Sequence, residues 1–181
     1  MKQIDMMAAP TIMQPGGYVP VAYADRIAPA TPKVELDYER ATGRGYRLTL
    51  SWPCARAVKV VDEDPRLFPD ACALLVPEQE DSPWITMGAK GKAVQGVLWR
   101  ADRTGLYRMH AEGLGTMQRQ EPPAAWSVAP EWRQGAWQVV LHLQGWSELE
   151  RAARVGVAVW QGAQGERAGL KSVSTDWVML S

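Results

Sequence analysis

One lysine has a chemistry that conflicts with the apolar surroundings its sequence predicts. Lys171 begins a stretch in which alternate positions carry Val173, Trp177 and Met179, so that its amine falls on the apolar face of a strand. Either its stem lies along the core and the amine reaches water, or the amine is buried and must be neutral or paired. The residues alone leave both interpretations open.

Methionine thioethers form the second group of interest. Met87 falls on the apolar face of a predicted strand at 84–88 and is followed by Gly88, whose missing side chain would let a large planar group approach the backbone. The alternative is ordinary core packing, because methionine is a common gap filler. Met109 and Met117 compete with Met87 under the same test.

Other reactive side chains give no catalytic or metal-binding pattern. His110 and His142 alternate with polar residues, which predicts that both face solvent and argues against a two-histidine metal site. Cys54 and Cys72 lack the spacing of a zinc or iron-sulfur site; they are expected to be small buried residues, although a single disulfide stays possible. No nucleophile elbow, phosphate loop or dinucleotide fingerprint occurs, so we do not expect an independent enzyme.

Composition narrows the function classes further. The chain has 181 residues with 20 basic and 20 acidic side chains, which excludes the electrostatic footprint of a nucleic-acid binder or a protein held to anionic lipid. Apolar runs fall far short of the ~20 residues that cross a bilayer. Nine tryptophans against one phenylalanine suggest flat aromatic surfaces. The N-terminal residues show no secretory pattern, which taken alone favours the cytoplasm.

These side chains must be positioned by strands. Prolines interrupt residues 1–33, which we expect to form an extended arm without helix or central strand. From residue 34 a period of two dominates, and only 147–154 suggests a helix. The predicted fold is all-β, an antiparallel sandwich or barrel over 34–181, large enough to enclose a ligand between its sheets. Strands are predicted at 34–38, 46–52, 71–76, 84–88, 94–99, 106–112, 136–143, 155–160 and 171–180.

Seven short motifs, in register over residues 34–181, carry a resemblance to a known family. The chain resembles the haem b-binding gamma subunits of molybdenum enzymes of the DMSO reductase family, such as ethylbenzene, steroid C25 and dimethylsulfide dehydrogenases and chlorate and selenate reductases. The motifs are LFPDACALLVP (67–77), TMG (86–88), VLWRAD (97–102), GLGT (113–116), GAWQV (135–139), VAVWQG (157–162) and KSVS (171–174).

The resemblance implies a β-sandwich that holds one haem b between its sheets, with a methionine and a lysine as axial iron ligands. Matched residue by residue, the lysine is Lys171 and the methionine is Met87, with Met117 as the main competitor. An iron with both axial positions filled cannot bind substrate, so the chain would be a non-catalytic electron-transfer subunit.

The implied partners are a molybdopterin catalytic alpha subunit, an iron-sulfur beta subunit and an external electron acceptor or donor such as a soluble cytochrome c. Export on the catalytic subunit's signal would place the complex in the periplasm without a leader on this chain. The alternative function is a tryptophan-rich sandwich that stacks a sugar or another flat ligand and has no redox role.

Overall fold

The structure is a computed structural model that describes residues 1–10, 28–60 and 64–180. In these ranges it contains one α-helix, α1 (Ser147–Ala152), and one 3-10 turn (Gly162–Gln164). No helix among the described residues has the length and apolar character needed to span a membrane. The described strands are β1 (Lys2–Ala8), β2 (Lys33–Ala41), β3 (Gly45–Pro53), β4 (Ala71–Pro77), β5 (Val94–Arg100), β6 (Leu106–Ala111), β7 (Gln118–Gln120), β8 (Ser127–Arg133), β9 (Ala136–Gln144), β10 (Arg154–Trp160), β11 (Ser172–Ser174) and β12 (Val178–Met179).

The twelve described strands form one antiparallel sheet that does not close into a barrel. Their order is β7-β6-β5-β4-β10-β11-β1-β2-β3-β9-β8, and β12 pairs with the start of β10. We call β2, β3, β9 and β8 the first layer, and β7, β6, β5, β4, β10 and β11 the second layer. Because one buried cluster combines side chains of both layers, they pack face to face. The predicted all-β antiparallel sandwich is confirmed.

Strand β1 joins the two layers. Residues 2–5 pair with β2 and residues 6–8 pair with β11, so a single strand crosses from one layer to the other. The prediction that no central strand persists in the N-terminal arm is therefore wrong for Lys2–Ala8, which precede the first proline, Pro10. Residues 11–27 of the predicted arm lie outside the described residues, and the division into 1–33 and 34–181 stays a prediction.

The interface between the layers is filled by large apolar side chains. Trp137 packs edge-on against Trp99 with ring centroids 4.9 Å apart, and lies 6.5 Å from Trp52. Asp70, fully buried at the start of β4, accepts a 2.9 Å hydrogen bond from the Trp137 indole and a 2.8 Å bond from the Gly162 amide. This carboxylate therefore ties the first layer to the loop that follows β10.

Two predicted strands are wrong in part. Residues 84–88 form a turn, because Met87 and Gly88 have φ angles of 55° and 87° that no strand allows. The stretch 171–180 divides into β11 and β12, and Ser172 and Ser174 of β11 are buried. Strands β7 and β8 were not expected because they are polar edge strands, and β8 contains Pro130.

Candidate functional site

A cavity of about 500 Å³ lies on the outer face of the second layer. We call it the outer-face cavity. The prediction of a ligand space between the two layers is wrong. The space between the layers is filled by the leucines, valines and tryptophans of the interior. The size of the outer-face cavity is within the range of about 300–1,000 Å³ that is typical of small-molecule and cofactor sites.

Small side chains make the floor of the cavity flat. Ala71 and Ala73 of β4 and Ala158 of β10 point outward, while the residues between them point into the sandwich. At Gly156 a Cβ atom would overlap the ring of Trp84, so only glycine lets this indole lie on β10. The Trp84 indole donates a 2.7 Å hydrogen bond to the Ser174 carbonyl and forms one wall.

Met87 reaches the cavity from the turn that Trp84 begins. Its amide donates to the Trp84 carbonyl at 2.9 Å and its carbonyl accepts from the Gly113 amide at 3.0 Å, which holds the backbone at both sides. The open space predicted beside Gly88 is absent, because a Cβ there would meet the carbonyl oxygens of Lys92 and Ala111 at 2.7 and 3.0 Å. Gly88 therefore closes the turn, and the space lies beside the Met87 side chain.

Lys171 enters from the opposite side, immediately before β11. Its carbonyl accepts a 2.9 Å hydrogen bond from the Ala9 amide, and Val173 shares its face, as parity predicted. Its Nζ lies 5.1 Å from the centre of the Trp160 ring. Among the described residues no carboxylate lies within ion-pair distance of this amine. Burial lowers the pKa of Lys171 from its usual 10.5 to about 8.

The amine and the thioether meet across the cavity. Lys171 Nζ and Met87 Sδ are 3.9 Å apart, although the two residues are 84 positions apart in the chain. One typical metal–nitrogen bond and one typical metal–sulfur bond have a combined length of about 4.3 Å. The pair could therefore hold a metal after a displacement of a few tenths of an ångström, and the surrounding wall is apolar enough for a porphyrin.

The other sulfur atoms and the histidines are placed differently. Met109 lies in the floor with 4% exposure, and Met117 lines the mouth with 39% exposure. His142 is exposed as predicted, whereas His110 is half-buried and lies 3.6 Å from Glu78. In the described ranges, no group of three or more histidine, cysteine or acidic side chains could bind a metal ion.

Both cysteines are free and buried within the sandwich, as expected of small core residues. Burial raises the pKa of the Cys54 thiol to about 12, with the neighbouring Asp70 carboxylate adding to the effect. The pKa of Cys72 is also raised by burial. Neither thiol is suited to nucleophilic or metal chemistry at neutral pH.

Sequence reasoning missed the aromatic and charged walls. Phe68 and Trp160 line the cavity together with Arg100, Arg119 and Arg167. The alternation of Ala158 with Trp160 in β10 could have placed this indole on the cavity face. Arg100 ends β5, Arg119 lies in the three-residue strand β7 and Arg167 lies in a loop, so sequence periodicity carries little information about the direction of their side chains.

Known proteins support the resemblance that the motifs indicated. No family model matches the chain. It is 30% identical over 176 residues, 90% of its length, to a protein of Haloferax mediterranei provisionally named respiratory nitrate reductase heme subunit ORF7. It is also 30% identical over 164 residues, 83% of its length, to the chlorate reductase subunit gamma of Ideonella dechloratans. The chain spans 62% and 65% of these curated relatives' lengths. These two matches support the resemblance to the gamma-subunit family of molybdenum enzymes.

Proposed function

We propose that this chain is the electron-transfer haem subunit of a molybdenum oxidoreductase and that it binds one haem b in the outer-face cavity. The observation that carries the proposal is the 3.9 Å approach of Lys171 Nζ to Met87 Sδ inside an apolar cavity. The names of the two relatives, a heme subunit and a gamma subunit of reductases, support the same assignment.

Lys171 and Met87 would be the two axial ligands. Only the neutral amine can donate its electron pair to iron, and burial already favours that form by lowering the pKa of Lys171 to about 8. The Met87 thioether is neutral and soft, so it favours the ferrous state and a relatively high reduction potential. When bound, haem b supplies reversible one-electron chemistry.

The same arrangement argues for a relay rather than a catalyst. With both Lys171 and Met87 bound to the iron, no coordination position would remain for substrate, so substrate chemistry would belong to a partner. We place a molybdopterin catalytic subunit and an iron-sulfur subunit on one side of the relay, and an external acceptor or donor, such as a soluble cytochrome c, on the other. A periplasmic location, reached by export with the catalytic subunit, is part of the proposal.

The alternative, a stacking module for sugars, needs tryptophans on the surface. Six of the nine tryptophans are buried and the other three are half-buried, so none of the nine forms an exposed platform for a flat ligand. Trp160, which is half-buried, faces the cavity beside Lys171. The aromatic residues therefore fit packing and cavity walls better than a surface site.

An absorption spectrum of the full chain reconstituted with haemin tests the proposal. A Soret band with sharp alpha and beta bands after dithionite reduction is expected, because two strong axial ligands give low-spin iron. Lys171→Ala should open one axial position and change the spin state, and Met87→Ala should lower the potential or release the haem.

Met117→Ala is the matched control, because Met117 lines the mouth of the same cavity. It should leave spectrum and potential unchanged. A normal spectrum and potential in Met87→Ala, together with a changed spectrum in Met117→Ala, would assign the sulfur ligand to Met117. Failure of the full chain to bind haemin, alone and with its co-purifying subunits, would disprove the haem function.

A further inference from the structure

The charges around the outer-face cavity are unbalanced. Its described lining contains four basic side chains, Arg100, Arg119, Arg167 and Lys171, against one acidic side chain, Glu166. The chain as a whole has as many acidic as basic residues, so this excess is local. An apolar floor with a basic surround fits a ligand that is mostly apolar but carries anionic groups.

The arginines differ in what they already contact. Arg100 donates two hydrogen bonds, at 3.0 and 2.9 Å, to the Asp102 carboxylate, which neutralises its charge. Arg167 stacks on Phe68 at 4.5 Å and donates to the Gly165 carbonyl at 3.0 Å. Both guanidinium groups are therefore used within the protein.

Arg119 is different. Its guanidinium lies 5.2 Å from the centre of the Tyr107 ring, and among the described residues it has no ion pair or hydrogen bond. It is exposed, so its charge remains solvated and accessible. An aromatic ring beneath a guanidinium fixes the plane of its donors without consuming them.

The position of Arg119 also suits a ligand that enters the cavity. It lies on β7, directly across from Met109, whose side chain forms part of the floor. Lys171 lies next to β11, at the other side of the same run of strands β11-β10-β4-β5-β6-β7. The cavity thus has the Lys171 amine on its β11 side and the exposed Arg119 guanidinium on its β7 side.

We propose that Arg119 pairs with a carboxylate of the bound ligand, which for haem b is a propionate group at the mouth of the cavity. This inference rests on the proposed haem function and adds an anion contact to it. It also predicts the orientation of the macrocycle, with its carboxylate edge toward β7 and its apolar edge toward the alanine floor.

The test compares haemin with its dimethyl ester, in which both carboxylates are masked, on the full chain. The native chain should bind haemin more tightly than the ester. Arg119→Gln should weaken haemin binding by roughly fivefold, the size of a partly exposed charge pair, and leave ester binding unchanged. The loss should shrink at high salt, because solvent screens exposed pairs.

Arg133→Gln is the matched control. Arg133 is an exposed arginine on β8, the opposite edge strand of the sheet, and among the described residues its side chain has no ion pair or hydrogen bond either. It should not affect either ligand. Arg119→Lys, which keeps the charge, should restore most of the preference for haemin.

Each outcome decides the inference. Equal weakening of haemin and ester in Arg119→Gln, or an unchanged haemin affinity, would overturn the propionate contact while haem binding itself stands. A chain that binds neither compound would overturn both the contact and the proposed function. Weaker haemin binding with unchanged ester binding in Arg119→Gln, and no effect on either ligand in Arg133→Gln, is the expected result.

Discussion

The two faces of strand β4 show how one strand can serve packing and binding at once. Toward the first layer it presents Leu74 and Val76, both with no exposed surface, within a cluster that includes five tryptophans. Toward the outside it presents Ala71 and Ala73, above which the cavity opens. Every residue of β4 is buried, so burial alone does not distinguish the two faces.

The difference between the faces is one of volume. Large side chains from both layers fill the interior, and close packing there supplies stability. On the outer face Ala71, Ala73 and Ala158 are small, and the space above them is left for a ligand between Trp84 and Lys171. A ligand that fills this space should stabilise the folded chain by mass action, whereas nothing can be added to the interior.

The largest effect is expected from a cavity made in the interior. Leu74→Ala should lower the free energy of unfolding by about 3 kcal/mol, because it removes a fully buried side chain from a packed interface. Urea denaturation of the haem-free chain measures this change. At temperatures where the variant is folded, its haem affinity should equal that of the native chain. A loss of haem binding in folded Leu74→Ala would show that the two faces are coupled.

Enlarging Ala73, the outward-facing neighbour of Leu74, should weaken haem binding and leave the free energy of unfolding nearly unchanged. Ala73→Leu adds volume to the floor of the cavity, so haem affinity should fall at least about tenfold while the free energy of unfolding changes by less than about 1 kcal/mol. Haemin titration and urea denaturation give both quantities. Ala129→Leu, on exposed β8, controls for the added side chain. Unchanged haem affinity in Ala73→Leu would place the ligand elsewhere.

Sequence patterns predicted the packed interior of the sandwich but not the cavity on its outer face. Alternation in β3 and β9 was sufficient to predict half-buried strands and an antiparallel fold, because each places apolar residues at every second position. In β4 the run ACALLVP is apolar on both faces, so nothing in it shows which face meets the other layer. The ligand space was therefore assigned to the interior.

The two proposed ligands illustrate the same limit. Parity placed Lys171 beside Val173 on the cavity face, and the structure agrees. Met87 lines the cavity too, but through a turn with positive φ rather than through strand alternation, so the predicted strand gave the right face for a wrong reason. Arg119 could not be predicted, because β7 has only three residues and all are polar.

The smallest expected effect is the change in unfolding free energy that the Lys171 amine causes in the haem-free chain. Burial lowers the pKa of Lys171 from 10.5 to about 8, so the folded haem-free chain binds fewer protons than the unfolded chain between these values. The free energy of unfolding should therefore rise as pH increases from about 8 to about 10.5, and the cost should be constant below pH 8. Because the side chain is only half-buried, we expect a rise of about 1 kcal/mol.

Lys171→Met isolates this contribution, since all other titratable groups are common to both proteins. The difference in unfolding free energy between Lys171→Met and the native chain should favour the variant at pH 7 and shrink toward pH 10.5. A difference that does not vary with pH would mean that the Lys171 amine is as well solvated in the folded chain as in the unfolded one. The outer face would then resemble ordinary surface, and its contrast with the interior would be one of volume alone.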